Sequence, residues 1–397
     1  MGRCNSYVEK LKRGQLRLWK GAKPILSTLD IELTERCNNK CIHCYINQSI
    51  DNNDIKRKEL DTKDVKSIID EAAALGCLTI RFTGGEPLLR EDFEELYIHT
   101  RKLGIKVVLF TNATLITPHL AALLSKIPPL ETIEISYYGM RKNTYETVSH
   151  VPGSFEAAGR GIRLLSENKV PFGIKSVLLP EIIAEIDNFE NWVAKISGSY
   201  QRPSYAISLD LRCRRDSVKK NSQIKELRLT PDETIMFLAK ARKTDSILKR
   251  QYFTKFTGII DRSLFTCGAG VRSGSIDAYG SYQLCLLLRH PKTVYNLKNG
   301  TLREAILGFA PDIRALECQN PEYINKCARC FLKGLCDQCP GKSWTEHGTL
   351  DTPVDYLCNV AHAKAKDLGL IEGNEKAWQI DEGVERITQC SNRSNIN

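Results

Sequence analysis

Cys37-Asn38-Asn39-Lys40-Cys41-Ile42-His43-Cys44 sets three thiols at the spacing C-x3-C-x2-C. Three thiolates this close in sequence can take three corners of one four-iron cubane and leave its fourth iron open to a small molecule. A structural zinc site wants four protein ligands, and His43, directly before the last thiol, is poorly placed to be the fourth. A second set lies far downstream: Cys267, Cys285, Cys327, Cys330, Cys336, Cys339 and Cys358. Seven thiols are too many for one zinc; they fit two further cubanes or two zinc sites. In all the chain has 15 cysteines in 397 residues, an odd number, with no apolar signal-peptide run at its start. That favours ligation in a reducing, cytoplasmic setting over a disulfide framework. Cys4, Cys77 and Cys390 have no partner spacing; Cys77 follows a helix-ending glycine and reads as a small buried apolar residue.

These thiols need elements to position them. At roughly 150 residues per domain, the length allows two or three packed units. Thr28–Thr34 alternates apolar residues at 29, 31 and 33 and ends at the first thiol cluster. A helix is predicted from Thr62, taken as its N-cap, with Val65, Ile68, Ile69, Ala72 and Ala73 on one face and a stop near Gly76. A strand over 78–82 runs into Gly84-Gly85, and a helix covers about 91–103. Further strands are expected at 105–111, 132–137, 171–179 and 205–211, with helical stretches between most of them. Such alternation argues for a parallel α/β sheet wound as part of a barrel, with the informative residues at the strands' C-terminal ends. Residues 212–228 carry Arg212, Arg214, Arg215, Lys219, Lys220, Lys225 and Arg228 and read as a solvated basic linker, and helix resumes over about 231–248. The expected division is a basic entry segment 1–27, a barrel 28–230, a helical linker 231–259, a cysteine-rich domain 260–373 and a flexible polar tail 374–397. No run approaches the 18 apolar residues of a membrane helix, and the match of Met1-Gly2 with Ser6 to a myristoylation pattern reads as chance. The net charge of +10 is spread along the chain and alone points to no partner.

Cys37, Cys41 and Cys44, with His43 at a position that is usually aromatic and Gly84-Gly85-Glu86-Pro87 at the next strand end, resemble the radical SAM superfamily. The downstream pattern, Cys267-x12-Gly280-x4-Cys285 then Cys327-x2-Cys330-x5-Cys336-x2-Cys339 then Cys358, resembles the SPASM extension of that superfamily. It departs in having two rather than three residues between Cys336 and Cys339. The resemblance implies a partial (β/α)6 TIM-like barrel followed by a small SPASM domain. It implies a [4Fe–4S] cluster on Cys37, Cys41 and Cys44 with S-adenosylmethionine (SAM) at the open iron. Gly84, Gly85, Glu86 and Pro87 would form the segment beside the SAM amine, and His43, Asn112, Ser136 and Lys175 would be further cofactor contacts. Cys327, Cys330, Cys336 and Cys358 would hold one auxiliary [4Fe–4S] cluster, and Cys267, Cys285 and Cys339 another. Its fourth position would be open or met from afar, with Cys213 and Cys318 as candidates.

The implied reaction is reductive cleavage of SAM to a 5′-deoxyadenosyl radical that abstracts hydrogen from a peptide, giving a thioether, a carbon–carbon crosslink or an oxidised side chain. Partners would be the peptide, a separate leader-binding protein and a low-potential donor such as flavodoxin or ferredoxin, with no membrane and no nucleic acid. Two other readings stand: a radical SAM enzyme decarboxylating a haem precursor, and a zinc-ribbon binding module. Tyr137, Tyr138 and Tyr282 are possible neighbours of the radical, and packing is the plainer role for each. No catalytic acid or base can be picked from the sequence.

Overall fold

The computed structural model describes residues 25–196, 198–199, 202–242 and 261–394. Cys4 and the myristoylation pattern lie outside them. In strand β1 (Thr28–Thr34), Leu29, Ile31 and Leu33 are buried, and so are Glu32 and Thr34 on the opposite side. It follows that β1 is an interior strand covered on both faces, as parallel sheets require. There follow α1 (Thr62–Ala74), β2 (Thr79–Gly84), α2 (Phe93–Lys102), β3 (Lys106–Thr111), α3 (Pro118–Lys126), β4 (Leu130–Ser136), α4 (Lys142–Ser149), α5 (Ser154–Glu167), β5 (Phe172–Val177), α6 (Ile186–Lys195) and β6 (Ser204–Ala206). Each of β1 to β6 pairs in parallel with the next. Six strands in unbroken sequence order, joined by helical crossovers, make the expected partial barrel.

Local chemistry places the boundaries. The cap of α1 is Asp61, not Thr62: its side chain accepts from the Asp64 N–H, while the Thr62 hydroxyl donates to Asp92 Oδ2 at 2.6 Å. Gly76 then ends the turn at φ 85°. Strand β6 stops at Ala206, short of the expected 211, because the backbone beyond turns away from the sheet: Arg228 Nη2 donates to the Leu209 carbonyl at 2.7 Å.

Past the barrel the sheet continues. Strand β7 (Ser273–Ile276) pairs in parallel with β1 on the flank away from β2, and β8 (Ser281–Gln283) and β9 (Val294–Asn296) follow antiparallel. The result is one nine-stranded sheet in the order β9-β8-β7-β1-β2-β3-β4-β5-β6. The expected solvated linker is packed in part: Arg212 is 5% exposed, and Val218–Glu226 forms α7, on which Lys219 and Lys225 remain exposed. Helix α8 covers Pro231–Arg242, and the remainder of the helix expected there lies outside the described residues. A cysteine-rich region with α9 (Pro340–His347) and α10 (Asp355–Asp367) completes the core. The tail expected to fray carries α11 (Gly383–Ser394), tied down by a 2.7 Å Arg386–Glu375 ion pair. Among the described residues no helix is long and apolar enough to cross a membrane.

Candidate active site

Strand β1 delivers the first cysteine loop to the mouth of the barrel, and the end of β2 crosses beneath it. Gly85 N–H donates to Thr34 O at 2.7 Å, and Glu86 N–H to Arg36 O at 2.9 Å. A Cβ on Gly84, at φ 130°, would stand 2.0 Å from Thr34 O, and one on Gly85 would stand 2.2 Å from Arg36 O. The two glycines are therefore required first by the crossing of the cysteine loop itself. The Glu86 carboxylate turns away from the opening. It accepts from Thr111 Oγ1 and the Asn112 N–H, both at 2.8 Å, and from the Leu88 N–H at 3.1 Å. Burial pushes its pKa up to about 7 against those three donors. Glu86 and Pro87 are buried braces that fix the ends of β2 and β3, and they do not line the cavity above.

That cavity has a volume of about 490 Å³ and is walled by Cys37, Cys41 and Cys44 together with Gly84, Gly85, His43, Asn112, Ser136 and Lys175. Backbone and side-chain donors already point at the sulfurs: Asn39 N–H reaches Cys37 Sγ and Asn47 N–H reaches Cys44 Sγ, both at 3.3 Å. The Cys41 thiol lies 3.8 Å from Tyr138 Oη. Burial raises the Cys41 pKa to about 12, with the neighbouring Cys44 adding to the effect, and raises Cys37 as well. Two buried thiols and the half-buried Cys44 beside them form a donor set that becomes stable as thiolates when cationic iron is shared among them. The Asn39 amide and His43 Nδ1 are also buried here without a hydrogen-bond partner among the described residues. The site thus has polar groups a bound ligand would satisfy, and its residues fit a three-thiolate cluster.

The other predicted contacts divide. Asn112 lines the cavity, but its amide is engaged with Asn38 Oδ1 at 2.9 Å and with Thr114. Ser136 is at the end of β4. Lys175 pairs with Glu134 and sits 3.8 Å from the Phe110 ring centroid, which holds its ammonium at the wall. His43 packs edge-on against Tyr138, and burial lowers its pKa to about 3, so the ring is neutral. Tyr138 stands in the cavity. Tyr137 stacks among Tyr145, Phe189 and Trp192, and Tyr282 is buried over Gly274, so both are core residues.

A second cavity, of about 800 Å³, is lined by Cys327, Cys330, Cys336 and Cys358 together. Cys285 lies outside that cavity: burial raises its thiol pKa to about 12, and Cys339 and Cys267 push the same way. Cys213 lies with Arg289, Glu32 and Glu35, and Cys318 with Asp351 and Arg262.

The Radical SAM superfamily model matches residues 31–193, from β1 to α6. The chain carries a radical SAM domain. Its relatives include Fe-coproporphyrin III synthase of Methanosarcina barkeri, 33% identical over 45% of this chain and 43% of the synthase. The chain thus spans less than half the length of that relative. Mycofactocin maturase MftC of Mycolicibacterium smegmatis is 27% identical over 82% of this chain and 79% of MftC. Among solved structures, SuiB of Streptococcus suis bound to S-adenosylmethionine superposes with a TM-score of 0.60 at 19% identity, covering 82% of this chain and 75% of SuiB. SuiB has also been solved with its precursor peptide SuiA. At this identity the likeness concerns the fold.

Two groups around the radical SAM domain were invisible to motif reading. Arg289 is buried between Glu32 (2.5 Å) and Glu35 (2.7 Å), and Arg214 bridges Glu35 (2.6 Å) and Asp277 (3.1 Å). Burial alone would lower the Arg289 pKa, but these carboxylates outweigh it and hold the guanidinium charged. Arg212 donates to Asn47 O at 3.1 Å and Cys44 O at 3.4 Å, and Lys220 to Cys41 O at 2.8 Å, all in the cysteine loop. The only trace in the sequence is acidic residues inside an apolar strand and a run of arginines.

Proposed function

We propose that the chain is a radical SAM peptide maturase of the SPASM type, with three [4Fe–4S] clusters. The observation that carries the reading is the convergence of Cys37, Cys41 and Cys44 with Gly84 and Gly85 on one cavity at the C-terminal ends of the barrel strands. When bound, a cluster with an open iron supplies one-electron cleavage of SAM to methionine and a 5′-deoxyadenosyl radical. The chain's own part is to hold Cys37 and Cys44 by N–H donors, to keep the Gly84–Gly85 crossing narrow, and to wall the reacting space from water. Cys327, Cys330, Cys336 and Cys358, and separately Cys267, Cys285 and Cys339, would hold the auxiliary clusters. These could accept an electron from the substrate or bind it.

A peptide substrate is favoured because the likeness to MftC extends over 82% of the chain, whereas the likeness to the porphyrin enzyme covers 45%. That SuiB, a chain of similar fold, has been solved with its precursor peptide SuiA supports this reading. A flavodoxin or ferredoxin would supply the electron. The test is anaerobic loading with iron and sulfide, then SAM and dithionite. We expect 5′-deoxyadenosine from the parent chain and none from Cys41→Ala; full turnover by that variant would remove the first cluster from the mechanism. Peptides encoded beside the gene should then lose hydrogen by mass spectrometry, and release of CO2 from a coproporphyrin instead would favour the haem-precursor reading.

A further inference from the structure

We propose that Lys220 is a positioning residue that sets the charge at the cysteine loop, so that the cluster bound there is easier to reduce. The inference rests on the cluster reading above and concerns residues outside every recognised motif.

The loop from Cys41 to Asn47 is clamped by a segment that begins about 170 residues downstream. Cys213 N–H donates to Tyr45 O at 3.1 Å, and Arg212 reaches Asn47 O and Oδ1, both at 3.1 Å. Lys220 Nζ donates to Cys41 O at 2.8 Å across 179 positions. The clamp is itself fixed: Ser217 Oγ caps α7 through the Lys220 N–H at 3.2 Å, and Asn221 Oδ1 accepts from the Arg212 N–H at 2.8 Å.

The two cations are not equivalent. Asp216 takes both Nε and Nη2 of Arg212 at 2.8 Å, so that guanidinium is neutralised where it stands and serves as a tie. Lys220 forms no ion pair with a carboxylate among the described residues. Half-burial of the side chain lowers the Lys220 pKa and the Arg212 charge adds to that, while the thiols of Cys44 and Cys41 oppose it. Reduction adds one electron to a cluster already surrounded by three thiolates. A cation held at the loop, in a medium less polar than water, favours the reduced form.

The experiment compares the parent chain, Lys220→Gln and Lys220→Arg, each loaded anaerobically with iron and sulfide. Glutamine keeps an N–H donor for Cys41 O and removes the charge; arginine keeps the charge. The readouts are iron content and the midpoint potential of the paramagnetic signal that responds to added SAM, which separates the first cluster from the others. We expect Lys220→Gln to hold its iron with a more negative midpoint, and Lys220→Arg to return to the parent value. An unchanged midpoint in iron-replete Lys220→Gln overturns the inference. So does failure of both variants to take up iron, which would make Lys220 a purely structural tie. Uptake by Lys220→Arg but not by Lys220→Gln supports a requirement for charge. A parent chain with no SAM-responsive signal would fail at the earlier step and remove the cluster reading together with this one.

Discussion

A carboxylate with three hydrogen-bond donors is ordinarily a strong acid, yet Glu86 is so completely buried that its pKa rises from the ordinary 4.5 to about 7. Between those two values the folded chain keeps a proton that the unfolded chain has released. Stability therefore falls as pH rises through that window. We expect melting temperature to decline from pH 5 to pH 7.5 more steeply in the parent than in Glu86→Gln, and equal slopes would place the titration elsewhere. At Gly85 the limit is steric. Gly85→Ala forces a Cβ against the Arg36 and Glu35 carbonyls, at 2.2 and 2.5 Å. Overpacking of this kind costs about 1–3 kcal/mol, and we expect a lower melting temperature with weakened SAM binding by calorimetry. At this scale the sequence was a good guide to which residues gather and a poorer one to why. Gly84-Gly85-Glu86-Pro87 was legible as a strand-end motif, but only the geometry shows the glycines yielding to the cysteine loop and Glu86 bracing Asn112 from behind.

Among the elements, β1 carries the heaviest electrostatic load. It brings Glu32 and, just past its end, Glu35 into a fully buried array around Arg289, four residues beyond Cys285. Removing one partner of such an array leaves charges buried without compensation. Arg289→Leu should cost about 3–5 kcal/mol, read as a lower urea midpoint, and a near-neutral result would mean that water enters the site. Periodicity found β1 to β5 and the first helices, because apolar alternation and the 3.6-residue stripe are properties of local sequence. It overran β6, past whose end Arg228 donates to Leu209 O, and it misread the packed part of 212–228. A run of arginines looks the same whether its side chains meet water or the carbonyls of a distant loop; Arg212 and Arg215 meet carbonyls, the latter those of Trp344 and Thr345 at 2.8 Å. Strands β7 to β9 escaped notice because three- and four-residue strands carry almost no period.

For the molecule as a whole, the cysteine sets occupy separate places: one at the barrel mouth, one in the large C-terminal cavity, and one around Cys285. They should therefore be separable by substitution. Cys330→Ala is expected to lower the iron content by roughly a third while 5′-deoxyadenosine formation persists; loss of all iron would mean that the sets assemble together. The grouping of Cys37, Cys41 and Cys44 was legible from spacing, since short loops bring near neighbours together, whereas the division of the downstream thiols into two sets came from the SPASM resemblance. The pairing of Arg289 with the acidic residues of β1 and its end was not, since 254 positions separate Arg289 from Glu35.

Strand β7 shields a flank of β1 that would otherwise offer bare amides and carbonyls to any passing chain. A gene fragment ending before Ser273 would contain the whole superfamily match yet expose that edge, orphan Glu32 and leave Glu35 with Arg214 alone of its two arginines. Such a fragment should precipitate rather than behave as a minimal catalyst, so dissecting this protein calls for point substitutions in the full chain.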